Sequence, residues 1–200
     1  MALHGNFDRP QWQCEVWREV TGGYPFVLCP RGTRRADVAK SMDRWTYAGG
    51  RPAEKELMAA IEALSARYGP HVAKGPVVFV GFSLGAIIGT GILRRHGGTF
   101  PRAVLIEGGN KRWSRAAVAE FAKAGGKRVL FACGQTDCKH LGKRAARLFE
   151  AQEVQVKVVS GGSIGHTYDA QVADAVSAEW SWLVDGDERW RFERGPSVGE

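Results

Sequence analysis

Residues 77–89 read VVFVGFSLGAIIG. Val77 to Val80 is an apolar run with no polar alternation, which predicts a strand covered on both faces. Gly81-Phe82-Ser83-Leu84-Gly85 then turns sharply, and Leu84 to Arg95 has the small, apolar composition of a helix packed against the sheet. A serine at such a turn is held in strained backbone geometry that only small neighbours such as Gly81 and Gly85 tolerate. The strain lifts its hydroxyl above the sheet, at the amino end of a helix whose dipole favours developing negative charge.

The same alternation extends to both sides. Further strands are expected at Met1–Leu3, Phe26–Cys29, Ala103–Ile106, Val129–Ala132 and Val154–Val159. A helix over Pro52–Tyr68 opens with proline in its first turn and places Leu57, Ile61, Leu64 and Tyr68 on one stripe. Ser114 is positioned as the N-cap of a helix carrying Val118, Phe121 and Ala122. Leu141, Ala145, Leu148 and Phe149 mark another stripe, and Val172, Val176 and Leu183 the last. Strands alternating with helices predict an α/β fold, a three-layer α/β/α sandwich around a mostly parallel sheet. It forms one domain over residues 1–184, followed by a charged tail at 185–200 that ends loosely. Pro30–Arg51 breaks the alternation as a long basic loop containing Trp45 and Tyr47, which are expected to pack or to wall a pocket.

Composition narrows the function classes. The chain has 200 residues and a formal net charge of +7, large enough for a core of its own. Lys111 to Lys157 carries 11 basic and 4 acidic residues, so this segment holds the whole excess. With no nucleic-acid motif beside them, these charges read as the wet faces of outer helices, and no nucleic-acid partner is expected. The uncharged run Val77–Leu93 is shorter than the roughly 20 residues a membrane span needs and contains Ser83 and Thr90, so no stable membrane insertion is expected. MALHGNFDRP lacks a basic start and an apolar stretch; no signal peptide is visible, which favours the cytoplasm unless sequence precedes Met1. Cys133-x4-Cys138-x-His140 offers metal-type ligands without a second ligand pair, so no metal is expected. A Cys14–Cys29 bridge, from the first helix to the end of the adjacent strand, is conceivable.

In a parallel sheet, ligands gather beyond the carboxyl ends of the strands. There the sequence places Gly5-Asn6, Ser83, Glu107, Cys133-Gly134-Gln135-Thr136-Asp137 and, after the last strand, Gly165-His166. A serine hydroxyl needs a base, and His166, in a glycine-rich loop directly before a helix, is the best placed of the five histidines. The imidazole needs a carboxylate to orient it. Asp137, four residues past the Val129–Cys133 strand, is the expected partner, with Glu107 as the rival; Asp169 follows His166 too closely. The Leu84 and Asn6 amides are the expected donors to a developing oxyanion.

With these residues assembled, the chain resembles the α/β-hydrolases. The elbow GFSLG, the acid in CGQTD, the histidine in SIGHTY and the LHGN turn match that superfamily in identity and order over nearly the whole chain. Its compact layout is similar to small carboxylesterases, lysophospholipase-type thioesterases and dienelactone hydrolases. The segment from Gly108 to Arg112 is too short for a lid, and relative to the family's eight-stranded sheet the chain begins within what would be the third strand. The resemblance implies a serine hydrolase that needs no cofactor and acts on a small ester or thioester. Ser83 is its nucleophile, His166 its base and acid, Asp137 the orienting carboxylate, and Asn6 and Leu84 its oxyanion donors. The same triad would serve a peptidase or amidase, and the scaffold could also serve a protein that only binds. Arg31, Arg34 and Arg35, following the second strand, suggest tolerance for an anionic acyl or leaving group.

Overall fold

In the computed structural model, which describes residues 1–190, the apolar runs become a five-stranded parallel sheet. In chain order the elements are β1 (Ala2–Leu3), α1 (Pro10–Val20), β2 (Thr33–Arg34), β3 (Trp45–Thr46), α2 (Gly50–Tyr68), β4 (Val78–Phe82) and α3 (Leu84–Arg95). Then come β5 (Arg102–Ile106), α4 (Arg115–Lys123), β6 (Arg128–Cys133), α5 (Thr136–Ala146), β7 (Gln155–Ser160), α6 (Ala170–Ala178) and α7 (Trp180–Val184). The sheet order is β1-β4-β5-β6-β7, with every neighbouring pair parallel.

Strand periodicity divides the core into two layers. Phe79, Ala103, Leu105, Val129 and Phe131 face one side, where Leu57 of α2, Ile92 of α3, Phe121 of α4 and Ala145 of α5 cover them. Val78, Val80, Val104, Ile106 and Leu130 face the other, under Trp17 of α1, Val172 and Val176 of α6 and Leu183 of α7. Both faces of the central strands are buried, which is why their sequences show unbroken apolar runs rather than alternation. Ser114 caps α4 as its position predicts, its Oγ accepting the Ala117 amide at 3.2 Å.

Three expectations change. Phe26–Cys29 runs beside β1, with the Ala2 amide donating to the Leu28 carbonyl at 2.8 Å, yet it forms no strand. Pro25 and Pro30 bracket it, and neither supplies an amide to a ladder. The Pro30–Arg51 loop contains a small antiparallel hairpin, β2 with β3. The chain also continues past 184: Asp187 pairs with buried Arg102 at 3.4 Å and with Arg189, and Arg189 donates to the Pro76 carbonyl. The last few residues of the 185–200 tail, expected to be loose, lie outside the described residues.

Two disulfides staple the molecule. Cys14 of α1 joins Cys29 with a Cα–Cα separation of 5.9 Å, the bridge the sequence suggested. Cys133 at the end of β6 joins Cys138 in the first turn of α5, at 5.5 Å. Among the described residues, no helix is long and apolar enough to cross a membrane.

Candidate functional site

The turn between β4 and α3 holds Ser83 at φ 49°, ψ −111°, backbone space that non-glycine residues occupy only under constraint. The constraint is visible. The Ser83 amide donates to the Ile106 carbonyl at 2.8 Å, and the Gly85 amide to the His4 carbonyl at 3.1 Å. The turn also packs tightly: a Cβ on Gly85 would run into the Leu3 carbonyl, and one on Gly108 would lie 2.5 Å from the Ser83 carbonyl oxygen. Strain of this kind is concentrated here. Among the described residues, five non-glycine positions have positive φ, and Phe7, Ser83 and Glu107 of that set lie in the loops after β1, β4 and β5. Each costs about 1–3 kcal/mol, which a well-packed fold tolerates where geometry is needed.

His166 lies in the loop between β7 and α6, its ring packed on Phe82 at 5.0 Å and its side chain 46% exposed. Its Nδ1 faces Glu107 Oε2 at 3.2 Å. Glu107 follows β5 directly, and its side chain is only 1% exposed. The other carboxylate oxygen, Oε1, accepts the Gly134 amide at 2.6 Å and the Gln135 amide at 2.9 Å.

The carboxylate beside the imidazole is therefore Glu107 and not Asp137. Helix α5 already begins at Thr136, so Asp137 sits in its first turn, exposed, where an acid suits the helix dipole and faces solvent. The loop the sequence pointed to does serve the site, through its backbone. Two of its amides hold the acid supplied by the neighbouring strand.

Leu84 follows the serine directly, and Asn6 lies one residue past Gly5. Leu84 is the first residue of α3, so its amide has no intrahelical acceptor. A Cβ on Gly5 would lie 3.3 Å from Ser83 Cβ, which puts the β1 loop against the elbow. The Asn6 side chain is exposed, and its Oδ1 accepts from Arg35 Nη1 at 2.6 Å. Arg31 and Arg34 lie over the Trp45 ring instead. Tyr47 packs: it is buried and stacked on His4 at 4.5 Å, and its hydroxyl donates to the Pro30 carbonyl.

Asp8 and Tyr168 belong to the site's frame and carry no motif. Buried Asp8 accepts the Gly5 amide at 3.3 Å and the Tyr168 hydroxyl at 3.3 Å, joining the loop after β1 to the segment two residues past His166. Burial, reinforced by the Asp8 carboxylate, pushes the Tyr168 phenol well above its ordinary range, so it stays a neutral donor.

Glu107 Oε, Cys133 Sγ and Cys138 Sγ lie within 4.8 Å of one another, but the two sulfurs are bonded to each other, so this trio is not a free set of metal ligands. A cavity of about 640 Å3 opens elsewhere, at the amino ends of the strands against Met1, Trp17, Phe26 and Val77.

A serine in a strained strand–helix turn, an imidazole and a buried carboxylate thus stand at the carboxyl edge of one parallel sheet. The chain has the α/β-hydrolase fold. Solved structures agree: the esterase PE8 superposes with a TM-score of 0.64 at 16% identity, over 91% of this chain and 90% of that one. The carboxylesterase of Bacillus cereus gives 0.62 at 18% identity, over 91% and 87%. SOBER1 from Arabidopsis thaliana gives 0.62 at 10% identity, over 92% and 97%. An uncharacterized protein from Bacillus cereus ATCC 10987 gives 0.70 at 13% identity, over 92% of this chain, which spans 58% of the other's length. No family model matches the sequence, and no curated protein matches it.

Proposed function

We propose that this α/β-hydrolase-fold chain is a serine hydrolase cleaving carboxylic esters or thioesters through an acyl-enzyme, using its own side chains and backbone. The observation that carries the reading is the Glu107–His166 contact at 3.2 Å, at the edge where the Ser83 turn opens. Esterases among the structural neighbours support the substrate class by analogy of fold.

In this reading Ser83 Oγ attacks the ester carbonyl while His166 Nε2 takes its proton. Glu107 holds the Nδ1–H tautomer and stabilises the imidazolium. The Leu84 amide and the Asn6 amide carry the oxyanion. His166 returns the proton to the leaving alcohol or thiol, and water, deprotonated by the same imidazole, releases the acid. Glu107 replaces Asp137 in the orienting role, because Asp137 faces solvent from α5.

A fluorophosphonate probe tests the reading. Labelling mapped to Ser83, together with loss of aryl-ester turnover in Ser83→Ala, is the expected result. Labelling elsewhere, or full activity in the variant, overturns it. An ester and an amide of the same acyl group, compared on the unlabelled wild-type enzyme, separate an esterase from an amidase.

A further inference from the structure

The Cys133–Cys138 disulfide, between residues five apart in sequence, closes a tight loop whose backbone meets both Glu107 and the His166 loop. Inside it, the Gly134 and Gln135 amides hold Glu107 Oε1. The Gly134 carbonyl accepts the Gly165 amide at 2.9 Å, one residue before His166, and the Cys133 carbonyl accepts the Gly161 amide at 2.9 Å, where the His166 loop leaves β7. The fit is close: a Cβ on Gly134 would run into the Gly165 carbonyl. Both cysteines are buried, and their sulfurs lie within 4.8 Å of the Glu107 carboxylate.

We infer that this disulfide is a positioning element for the Glu107–His166 pair, which makes turnover depend on its oxidation state. Four hydrogen bonds converge on residues 133–135. They keep their geometry only while that segment is held in its tight return from strand to helix. The disulfide ties the strand end to the first turn of α5 and so fixes the return; backbone hydrogen bonding adds support, as do Asn110, whose side chain donates to the Cys138 carbonyl at 3.3 Å, and Thr136, whose hydroxyl lies 3.3 Å from that of Ser163. Opening the bridge frees the Gly134 and Gln135 amides to move. The buried carboxylate then loses its fixed donors, and the imidazole loses its fixed orientation. Misplacing a catalytic group by about 1 Å costs on the order of a hundredfold in rate, so a small loosening is enough. The proposed oxyanion donors, Asn6 and Leu84, lie on the β1 and β4 loops, outside the segment the disulfide ties, so the loss is expected to fall on kcat rather than KM.

This inference rests on the proposed roles of Glu107 and His166, and its test separates the two. Reduction by a water-soluble phosphine converts the disulfide into two thiols while the phosphine, with one water, becomes its oxide. The Cys14→Ser/Cys29→Ser variant removes the other bridge, which touches neither Glu107 nor His166, and leaves one disulfide to reduce. Peptide mapping of this protein as purified must show Cys133 joined to Cys138; two free thiols there overturn the inference. On reduction, with far-UV circular dichroism unchanged, kcat for an aryl ester is expected to fall at least tenfold, with KM within about twofold, and to recover on reoxidation. An unchanged kcat in the reduced protein overturns the inference, as does wild-type kcat in Cys133→Ser/Cys138→Ser. Probe labelling of Ser83 in the oxidised protein is scored separately: its absence removes the serine-hydrolase reading, whereas its presence with no redox effect removes only the role of the disulfide.

Discussion

Glu107 Oε2 lies 3.2 Å from His166 Nδ1, while Oε1 of the same carboxylate takes two backbone amides from the β6–α5 loop. A side chain this buried cannot carry charge without fixed donors around it. Two amides and an imidazole supply them, and the residue bearing them stands at φ 50°. The strained backbone, the amides and the imidazole meet in one arrangement, in which a buried carboxylate faces an imidazole that is itself 46% exposed.

Glu107→Gln keeps the size and removes the charge. By analogy with the asparagine substitution in the serine-protease triad, kcat is expected to fall about 10³- to 10⁴-fold, with KM little changed. Asp137→Asn, on the exposed face of α5, should stay within about threefold of wild type. Steady-state kinetics on one aryl ester decides between them; the reverse ranking would restore Asp137 to the orienting role.

The fold could be read from the sequence because its strongest signals are local. Apolar runs without alternation mark strands covered twice, and GFSLG marks a turn that only small neighbours permit. The placement of Ser83 and His166 at the carboxyl edge was legible for the same reason: each is tied to a strand end. The carboxylate facing the imidazole was not, because Glu107 and Asp137 follow adjacent parallel strands, and the choice depends on where the next helix begins. Helix α5 starts one residue earlier than Asp137 and turns its side chain outward; Glu107, one methylene longer, reaches beneath the neighbouring loop. Cys133 and Cys138 lacked the second ligand pair of a metal site, but nothing in their spacing marked them as a bridge. Their approach depends on a strand end meeting a first helical turn, which spacing alone does not specify. The β2–β3 hairpin was hidden because its strands are two residues long and carry no apolar alternation.

Glu54 ties α2 to α3. Its carboxylate receives Arg95, at 2.5 Å, and His96, at 2.7 Å, with Arg51 nearby. Hydrogen bonding from Arg95, ahead of that from His96, holds its pKa at about 2, below the ordinary 4.5. A depressed carboxylate pKa stabilises the fold fully above 4.5, and that stabilisation is lost as pH falls from 4.5 towards 2. The full difference corresponds to about 3 kcal/mol; solvent screening of the half-exposed arginines leaves about 2 kcal/mol. Glu54→Gln should therefore be about 2 kcal/mol less stable than wild type in urea at pH 7. The gap should close by about pH 2, and a gap independent of pH would contradict the assignment.

Arg102 at the start of β5 is buried and pairs with Asp187, and its Nε has no partner. Removing the carboxylate strands the cation, a change that typically costs 3–5 kcal/mol. Because Arg102 also donates to the Asp185 carbonyl, Asp187→Ala is expected near the low end, at about 3 kcal/mol. Arg102→Met, which removes the charge while keeping apolar bulk, should cost less. Thermal unfolding of the two variants gives the ranking; equal losses would mean that the stranded cation adds nothing to the cost.

Arg35 lies closest to the proposed chemistry through Asn6, whose Oδ1 accepts its Nη1 at 2.6 Å, and Asn6 adjoins the Gly5 that packs against Ser83. Its guanidinium is also paired with exposed Asp37, and that hydrogen bond holds the arginine further above its ordinary pKa and Asp37 below its own. An ester bearing a carboxylate on its acyl or leaving group would compete with Asp37 for this cation. Exposed pairs are weak and screened by salt, so the expected effect is modest. In Arg35→Ala, kcat/KM for the anionic ester should fall about fivefold more than for its neutral isostere. Asp37→Ala should shift the ratio the other way, and 0.5 M salt should erase most of the difference. The ratio is the informative quantity, because loss of the Asn6 anchor alone would lower both substrates together. Equal effects on the two esters would confine Arg35 to holding the β1 loop.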